Sequence, residues 1–88
     1  MNVPHRVRVT ARARRDMRKL PEKVAAACIE FIAGPLADNP RRLGKPLRGE
    51  LAGLHSARRG EYRVIYEIDD DPPIVVIVYV DWRGDVYR

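Results

Sequence analysis

An unbroken apolar run, IVVIVYV, over residues 74–80 limits the folds that this chain can adopt. Apart from one tyrosine, every residue in the run is β-branched, which favours a strand over a helix. A strand with one face in water alternates apolar and polar residues, whereas a strand covered on both faces has no polar positions. The run therefore predicts a central strand of a sheet with both faces buried.

The first third of the chain predicts one strand and two helices. Residues 5–10 alternate, with Val7 and Val9 on one face and arginines on the other, which is typical of a half-buried strand. Thr10 is suited to cap the helix that follows, and Pro21 suits the first turn of a second helix. The predicted buried stripes are Ala13, Met17 and Leu20 in the first helix and Val24, Cys28, Phe31 and Ile32 in the second.

The end of the second helix has two interpretations. Pro35 removes one helical hydrogen bond and disfavours the helical conformation of Gly34, so that the helix would end near Ala33. Leu36 nevertheless continues the apolar stripe, and a kinked helix that reaches Asp38 is the alternative.

The second half of the chain predicts a basic loop followed by consecutive strands. Residues 39–49 are rich in proline, glycine and arginine, and strands are expected over residues 51–58 and 62–69, joined by a tight turn. We therefore predict an α+β fold with the order β-α-α-β-β-β, in which two N-terminal helices pack on one side of a largely antiparallel four-stranded sheet. With 88 residues, the chain is expected to form a single domain over residues 1–88.

Composition narrows the class of protein. The chain is 45% hydrophobic and 33% charged, and no apolar run reaches the roughly 18 residues of a membrane span. The N-terminus lacks the apolar stretch of a secretory signal, so we expect a cytoplasmic protein without a membrane partner. The lone Cys28 is expected in the core. Because His5 and His55 lie far apart in sequence and no phosphate-binding glycine loop is present, we expect no metal site and no cofactor.

Charge is distributed unevenly along the chain, whose formal net charge is +5. Basic residues outnumber acidic residues up to Arg63, and acidic residues outnumber basic residues beyond it. Such an asymmetry produces an oriented positive field that attracts nucleic acid or an acidic protein. A solvated basic surface with no anionic partner is the equally weighted alternative.

The predicted hairpin collects basic side chains on one face. A two-residue turn at Arg59 and Gly60 would pair Arg58 with Glu61. One face of the hairpin would carry Ser56, Arg58 and Arg63, joined by Asp81 and Arg83 of the last strand. The other face would carry Ala57, Tyr62, Val64, Tyr66 and Ile68 beneath the helices, with His55 also pointing toward the core. Guanidiniums on an open sheet suit phosphates, because arginine keeps its charge and donates in a planar fork.

The long segment that begins LPEKVAAACIEF and ends GEYRVIYEID resembles the RelE branch of the RelE/ParE toxin superfamily, particularly its short actinobacterial members. Its most specific parts are the strand GEYRVIY, preceded by Arg58 and Arg59, and the closing element DWRGDVYR. The resemblance implies a metal-independent endoribonuclease that cleaves mRNA in the ribosomal A site. It also implies a cognate antitoxin as partner, with operator DNA bound only indirectly through that antitoxin.

By the same resemblance, the catalytic residues are Arg63, Arg83 and Tyr87. The two arginines match phosphate-binding arginines of the family, and Tyr87 matches a tyrosine that stacks on or orients the substrate. In such ribonucleases the ribose 2′-OH attacks the adjacent phosphorus, so the enzyme must orient the nucleotide, stabilise negative charge and help two protons to move. The candidates for substrate binding are Lys45, Arg48, Arg58 and Trp82.

Two departures from the family pattern leave the general base unassigned. Members with strong nuclease activity often carry lysines on the second strand, where this chain has Leu54 and Ser56. Many others have a histidine before the arginine of the last strand, where this chain has Trp82. Asp81 and Glu61 are the remaining candidates for proton transfer. Cleavage is therefore expected to be slow, strongly dependent on the ribosome, or lost.

Two other functions on the same fold stay open at this point. One is a ParE-like inhibitor of DNA gyrase, and the other is a catalytically weakened toxin that acts mainly as a co-repressor with its antitoxin. Retention of Arg63, Arg83 and Tyr87 favours the nuclease, because a gyrase inhibitor has no need of a phosphate-binding group.

Overall fold

The computed structural model describes residues 4–82, which are organised around a five-stranded sheet. The strands are β1 (Arg6–Val9), β2 (Lys45–Pro46), β3 (His55–Arg59), β4 (Tyr62–Asp70) and β5 (Pro73–Trp82). The helices are α1 (Ala11–Arg18), α2 (Glu22–Phe31), which continues as a π-helical turn (Ile32–Leu36), and α3 (Pro40–Leu43), and a 3₁₀ turn covers Gly49–Leu51. The strand order is β1-β5-β4-β3-β2, with β1 parallel to β5 and the other pairs antiparallel. The predicted α+β fold is confirmed.

Residues 4–82 contain one strand more and one helix more than the sequence predicts. Both β2 and α3 lie in the segment over residues 39–49 that is predicted as a loop. A two-residue strand has no periodicity of its own, because the pairing of Lys45 with Ser56 depends on the position of β3. No helix within residues 4–82 has the length and apolar character needed to cross a membrane.

A hydrophobic cluster lies between the helices and one face of the sheet. The helices contribute Ala13, Leu20, Cys28, Phe31, Ile32 and Leu36, and the sheet contributes Ala57, Tyr62, Val64, Tyr66, Val75, Ile77 and Val80. Burial raises the pKa of the Cys28 thiol to about 11, so that the thiol stays protonated at neutral pH. The prediction that Cys28 is a core residue is confirmed.

The helix termini follow the sequence signals closely. The Thr10 hydroxyl accepts a hydrogen bond from the Ala13 N–H at 3.1 Å, which confirms the predicted N-cap of α1. The second helix takes the kinked alternative, since it passes through Pro35 as a π-helical turn and resumes over residues 37–38. Leu36 is fully buried, and its burial explains why the helix does not stop at Ala33.

Helix α1 lies beside the part of β5 that β1 leaves uncovered. β1 ends at Val9, and the next polar backbone groups of β5 bond to α1 and its cap instead of to a strand. The Thr10 hydroxyl donates to the Val78 carbonyl at 2.6 Å, and the Val80 N–H donates to the Asp16 carboxylate at 3.1 Å. These two bonds fix the position of α1 against the sheet.

The register of β3 and β4 differs from the predicted one by two residues. The turn consists of Gly60 and Glu61, and Gly60 has a φ of 58°, in the left-handed region that glycine adopts readily. Arg58 therefore pairs with Arg63, so the predicted pairing of Arg58 with Glu61 is wrong. Because side chains alternate with a period of two, a shift of two residues leaves each side chain on its predicted face.

Strand β5 contains a bulge that the sequence pattern does not predict. Ile65 pairs with Tyr79 and Tyr66 pairs with Ile77, so that Val78 is an extra residue on β5. The alternation of β5 changes phase at this point.

The bulge determines which residues of the apolar run face the core. Val75 and Ile77 face the core before the bulge, and Val80 faces it afterwards, all with side chains at most 6% exposed. Val76 and Tyr79 lie on the opposite face and are only half-buried. The prediction that both faces of this strand are buried is therefore wrong, because within residues 4–82 the helices cover one face only.

Candidate active site

The basic cluster lies on the face of the sheet opposite the helices, which we call the open face (Ser56, Arg58, Arg63, Ile65, Tyr79 and Asp81). Arg58, Arg63 and Asp81 are direct neighbours across β3, β4 and β5. Cross-strand neighbours have Cβ atoms about 4.5–5.5 Å apart, so these three side chains leave the sheet side by side. The sheet thus presents two guanidiniums and a carboxylate in one row.

A pocket of about 500 Å³ opens beside this row. Its lining consists of Leu43, Gly44, Lys45, Leu47, Ser56, Arg58 and Arg63. Lys45 takes part because β2 pairs with β3 and places it opposite Ser56. Gly44 lies against the Tyr66 hydroxyl, and a Cβ at this position would overlap that hydroxyl, which explains the glycine. The segment that follows α3 forms one wall of the pocket, and β3 and β4 form its floor.

Two contacts attach α3 to the sheet and so fix this wall. The Tyr66 hydroxyl donates to the Pro40 carbonyl, and burial raises the pKa of Tyr66 to about 12, so the hydroxyl keeps its proton. The Arg41 guanidinium donates two hydrogen bonds of 2.7 Å to the Asp70 carboxylate. These bonds hold the pKa of Asp70 below its ordinary value.

The pocket is positively charged. All of the charged side chains that line it, Lys45, Arg58 and Arg63, are cationic. Neither arginine forms a salt bridge with a carboxylate of residues 4–82, although Asp81 is adjacent to Arg63 in the ladder. Guanidiniums without a carboxylate partner retain their donors for phosphate oxygens. In the part of the chain that the structure describes, no group of three or more His, Cys, Asp or Glu side chains could hold a metal ion.

A second row of residues crosses the open face next to the first. Its members are successive cross-strand neighbours from β2 to β5, namely Lys45, Ser56, Ile65 and Tyr79. The row continues onto α1, because the guanidinium carbon of Arg12 lies 4.1 Å from the centroid of the Tyr79 ring. The open face therefore extends from the pocket across the sheet to α1.

Comparisons with known proteins assign the chain to a family. The family model described as the ParE toxin of the type II toxin–antitoxin system ParDE matches residues 7–87. The toxin RelE of Mycobacterium tuberculosis is 59% identical over 85 residues, which are 97% of this chain and 88% of that protein. The chain belongs to the RelE/ParE family of type II toxins.

Two further relatives place it in the RelE branch of this family. The toxin RelG of the same organism is 56% identical over 86 residues, which cover 98% of this chain and 99% of that protein. A chain of the crystal structure of the M. tuberculosis toxin–antitoxin complex RelBE2 superposes with a TM-score of 0.91 at 57% identity, covering 94% of this chain and 95% of that one. The protein is thus a RelE-family toxin, and the fold predicted from the resemblance agrees with that of a solved relative.

The structure of this RelE-family toxin brings together several of the residues that the sequence singled out. Lys45, Arg58 and Arg63 line one pocket, and Asp81 is adjacent to Arg63. Arg48 is exposed at the start of the 3₁₀ turn and does not line the pocket. The predicted catalytic residues Arg83 and Tyr87 lie outside the described residues.

Two other predicted site residues lie away from the pocket. Trp82 pairs with Tyr62 and packs against the hydrophobic cluster on the helix-covered face, because it follows Asp81 in a strand and so points to the opposite side. Glu61 lies in the hairpin turn and lines a separate groove of about 540 Å³ between the turn and α2. Arg59 lines the same groove, with its guanidinium carbon 4.7 Å from the centroid of the Phe31 ring. The structure therefore does not bring Trp82 or Glu61 to the basic cluster.

His55 lies on the core side of β3, as the sequence predicts. Its ring stacks on that of Tyr66, with centroids 5.6 Å apart and an angle of 25° between the planes. Burial, and then the positive charge of Arg41, lower the pKa of His55 below its ordinary value. The imidazole is therefore predominantly neutral at pH 7. His55 also does not line the pocket.

Three residues of this region, Tyr79, Arg12 and Gly44, are not marked as site residues by any sequence pattern. Tyr79 lies inside the apolar run, where it is indistinguishable from a core residue unless the bulge at Val78 is known. Arg12 is one of many arginines near the N-terminus, and only the contact with Tyr79 sets it apart. A proline–glycine loop gives no sign that Gly44 touches Tyr66.

Proposed function

We propose that this RelE-family toxin is an endoribonuclease that cleaves mRNA in the ribosomal A site without a metal ion. The observation that carries the proposal is the pocket in which Lys45, Arg58 and Arg63 lie without a carboxylate partner among the described residues. Several cations at one end of an open sheet suit a phosphodiester, since each keeps donors for the phosphoryl oxygens.

In the proposed reaction the ribose 2′-oxygen attacks the adjacent phosphorus, and the bond from phosphorus to the 5′-oxygen of the next nucleotide breaks. The products are a 2′,3′-cyclic phosphate and a 5′-hydroxyl, so one proton leaves the 2′-hydroxyl and one reaches the 5′-oxygen. Arg58 and Arg63 stabilise the negative charge that develops on the phosphoryl oxygens. Asp81, next to Arg63, accepts the first proton, and a water molecule supplies the second to the 5′-oxygen.

The family resemblance supplies two further roles in this proposal. Arg83 is assigned as a second phosphate-binding arginine and Tyr87 as the residue that stacks on or orients the substrate. In the sequence both residues come shortly after Trp82, the last residue of β5, and β5 carries Asp81 on the open face. Much of the rate must come from in-line positioning of the 2′-hydroxyl, which the ribosome supplies by ordering the message.

An antitoxin is the proposed protein partner. The M. tuberculosis relative with the same fold was solved in a toxin–antitoxin complex. The open face combines cations with the apolar surface of Val76 and Tyr79, so a segment that covers it should carry Asp or Glu beside a hydrophobic side and fold on binding. Operator DNA would be bound only through that antitoxin.

The test compares cleavage of one message, free and in a stalled ribosomal complex, at matched concentrations and with and without chelator. We expect rapid, codon-positioned cuts in the complex, slow cutting of the free message and no effect of chelator. Equal rates would contradict the dependence on the ribosome, and inhibition by chelator would contradict the metal-independent reaction. Gyrase inhibition without cleavage would identify a ParE-like toxin, and the absence of both activities would leave the co-repressor.

A further inference from the structure

We infer that Tyr79 and Arg12 form a nucleotide-binding subsite next to the Arg63 pocket, in which Tyr79 stacks on a base and Arg12 binds a phosphate. The inference rests on the proposed function, because it concerns the RNA strand that enters the pocket. The stacking residue lies within β5, and the phosphate ligand lies on α1.

The register of the sheet places Tyr79 within one nucleotide of the pocket. Arg63 pairs with Asp81, and Tyr79 lies two residues before Asp81 on the same face of β5. Diagonal neighbours of this kind are about 7–8 Å apart. An RNA strand whose phosphate lies against Arg63 can therefore place an adjacent base over Tyr79 without crossing another helix or strand of residues 4–82.

The two side chains have the chemistry that such a subsite needs. Tyr79 is half-buried on the open face, where the hydrophobic cluster does not use its ring. Arg12 is exposed and forms no salt bridge with a carboxylate of residues 4–82, and its guanidinium covers the ring at 4.1 Å. An aromatic ring stacks on any base, and an arginine that leaves the ring can follow the phosphate backbone.

The backbone on either side of Tyr79 is hydrogen-bonded to α1 and to its N-cap residue. Val78 accepts from the Thr10 hydroxyl at 2.6 Å, and Val80 donates to the Asp16 carboxylate at 3.1 Å. Asp16 lies one helical turn after Arg12, so the bond that ties α1 to β5 also fixes the position from which Arg12 extends. The Tyr79 backbone and the helical position of Arg12 are thus fixed before RNA binds, and only the Arg12 side chain has to move off the ring.

Base stacking and phosphate binding can be tested separately with three variants and one control. The variants are Tyr79→Leu, Tyr79→Phe and Arg12→Gln, and the control is Arg14→Gln. Arg14 is exposed on the same helix and about 200° around it from Arg12, so its replacement removes the same charge from the side away from Tyr79. The probe is a short labelled RNA with methylated 2′-hydroxyls, which cannot be cleaved, and a set of the same RNAs with one abasic position each. Binding is measured by fluorescence anisotropy at several salt concentrations, and folding of each variant by thermal unfolding.

We expect one abasic position to weaken binding to the wild type on the order of tenfold. Tyr79→Leu should bind the intact RNA about tenfold more weakly and lose its sensitivity to that abasic position, while Tyr79→Phe should match the wild type. Arg12→Gln should reduce the salt slope by about 0.7, the value for one phosphate contact on a single strand, and Arg14→Gln should leave it unchanged. A folded Tyr79→Leu protein that keeps the wild-type affinity and abasic sensitivity would overturn the inference, as would a wild type that does not bind the probe.

Ribosomal cleavage by the same variants distinguishes failure of the nuclease proposal from failure of the subsite proposal. RNA binding that depends on Tyr79 but is followed by no cleavage would refute the nuclease and leave the subsite standing. Codon-positioned cleavage with binding that is indifferent to Tyr79 would support the nuclease and refute the subsite.

Discussion

Arg63 and Asp81 lie directly opposite each other in the ladder between β4 and β5, whereas Glu61, only two residues before Arg63, lies in the turn and lines the groove beside α2. The two carboxylates proposed for proton transfer are therefore separated by the sheet. We expect Asp81→Asn to slow ribosomal cleavage about 10²-fold, because an amide cannot accept the proton of the 2′-hydroxyl. Glu61→Gln is the matched control and should cleave at the wild-type rate. Equal rates for both variants and the wild type would remove Asp81 from the mechanism.

Arg63 is expected to be essential for cleavage. Arg63→Gln should relieve growth arrest and reduce cleavage on the ribosome by about 10²-fold or more, because a neutral side chain no longer stabilises the charge on the phosphoryl oxygens. Arg18→Gln removes the same charge from an exposed position on α1 and should leave toxicity intact. Thermal unfolding of both proteins checks that the fold is retained. An Arg63→Gln protein that arrests growth as the wild type does would show that the pocket is not the active site.

Thr10 is expected to contribute to stability through its hydroxyl. This hydroxyl accepts from the Ala13 N–H and donates to the Val78 carbonyl, so it both caps α1 and binds α1 to β5. Thr10→Val should lower the free energy of unfolding by about 1–2 kcal/mol, whereas Thr10→Ser, which keeps both bonds, should lie within about 0.5 kcal/mol of the wild type. Urea denaturation measures both. A valine variant as stable as the wild type would show that these bonds add nothing to stability.

The half-buried position of His55 against Tyr66 predicts a pH dependence of stability. Its pKa is lowered in the folded protein, so below the ordinary value of 6.5 the unfolded chain binds more protons than the folded one. The free energy of unfolding should therefore be highest above pH 6.5 and fall as the pH decreases toward the folded pKa. His55→Phe keeps a ring against Tyr66 and removes the titration, so its stability should change less between pH 7.5 and 5.5. Parallel pH profiles of the two proteins would refute this account.

The sequence predicts most of the fold and part of the site, for identifiable physical reasons. Arg58 and Arg63 are placed on the correct face even with the wrong turn, because a shift of two residues preserves strand alternation. The same alternation opposes the sequence prediction that Trp82 binds substrate, since Asp81 and Trp82 are consecutive in a strand and only one of them can face Arg63.

Other parts of the site depend on contacts that no local pattern records. Lys45 reaches the pocket through a two-residue strand whose pairing exists only in the folded sheet. Tyr79 reaches the open face through a bulge inside a uniformly apolar run, where every register is equally apolar. Sequence reasoning cannot choose among registers that bury the same kind of side chain.

At the bulge, the presence of a residue at position 78 matters more than the identity of its side chain. The group that Thr10 recognises at this position is a backbone carbonyl, which nearly any residue can supply. Removing Val78 would make Ile77 and Tyr79 consecutive opposite the consecutive residues Tyr66 and Ile65, so Val80 would stay in the core and Tyr79 and Asp81 on the open face. Substitutions at Val78 should therefore be tolerated, whereas a single-codon deletion should keep both faces of the sheet and remove the backbone acceptor of the Thr10 hydroxyl.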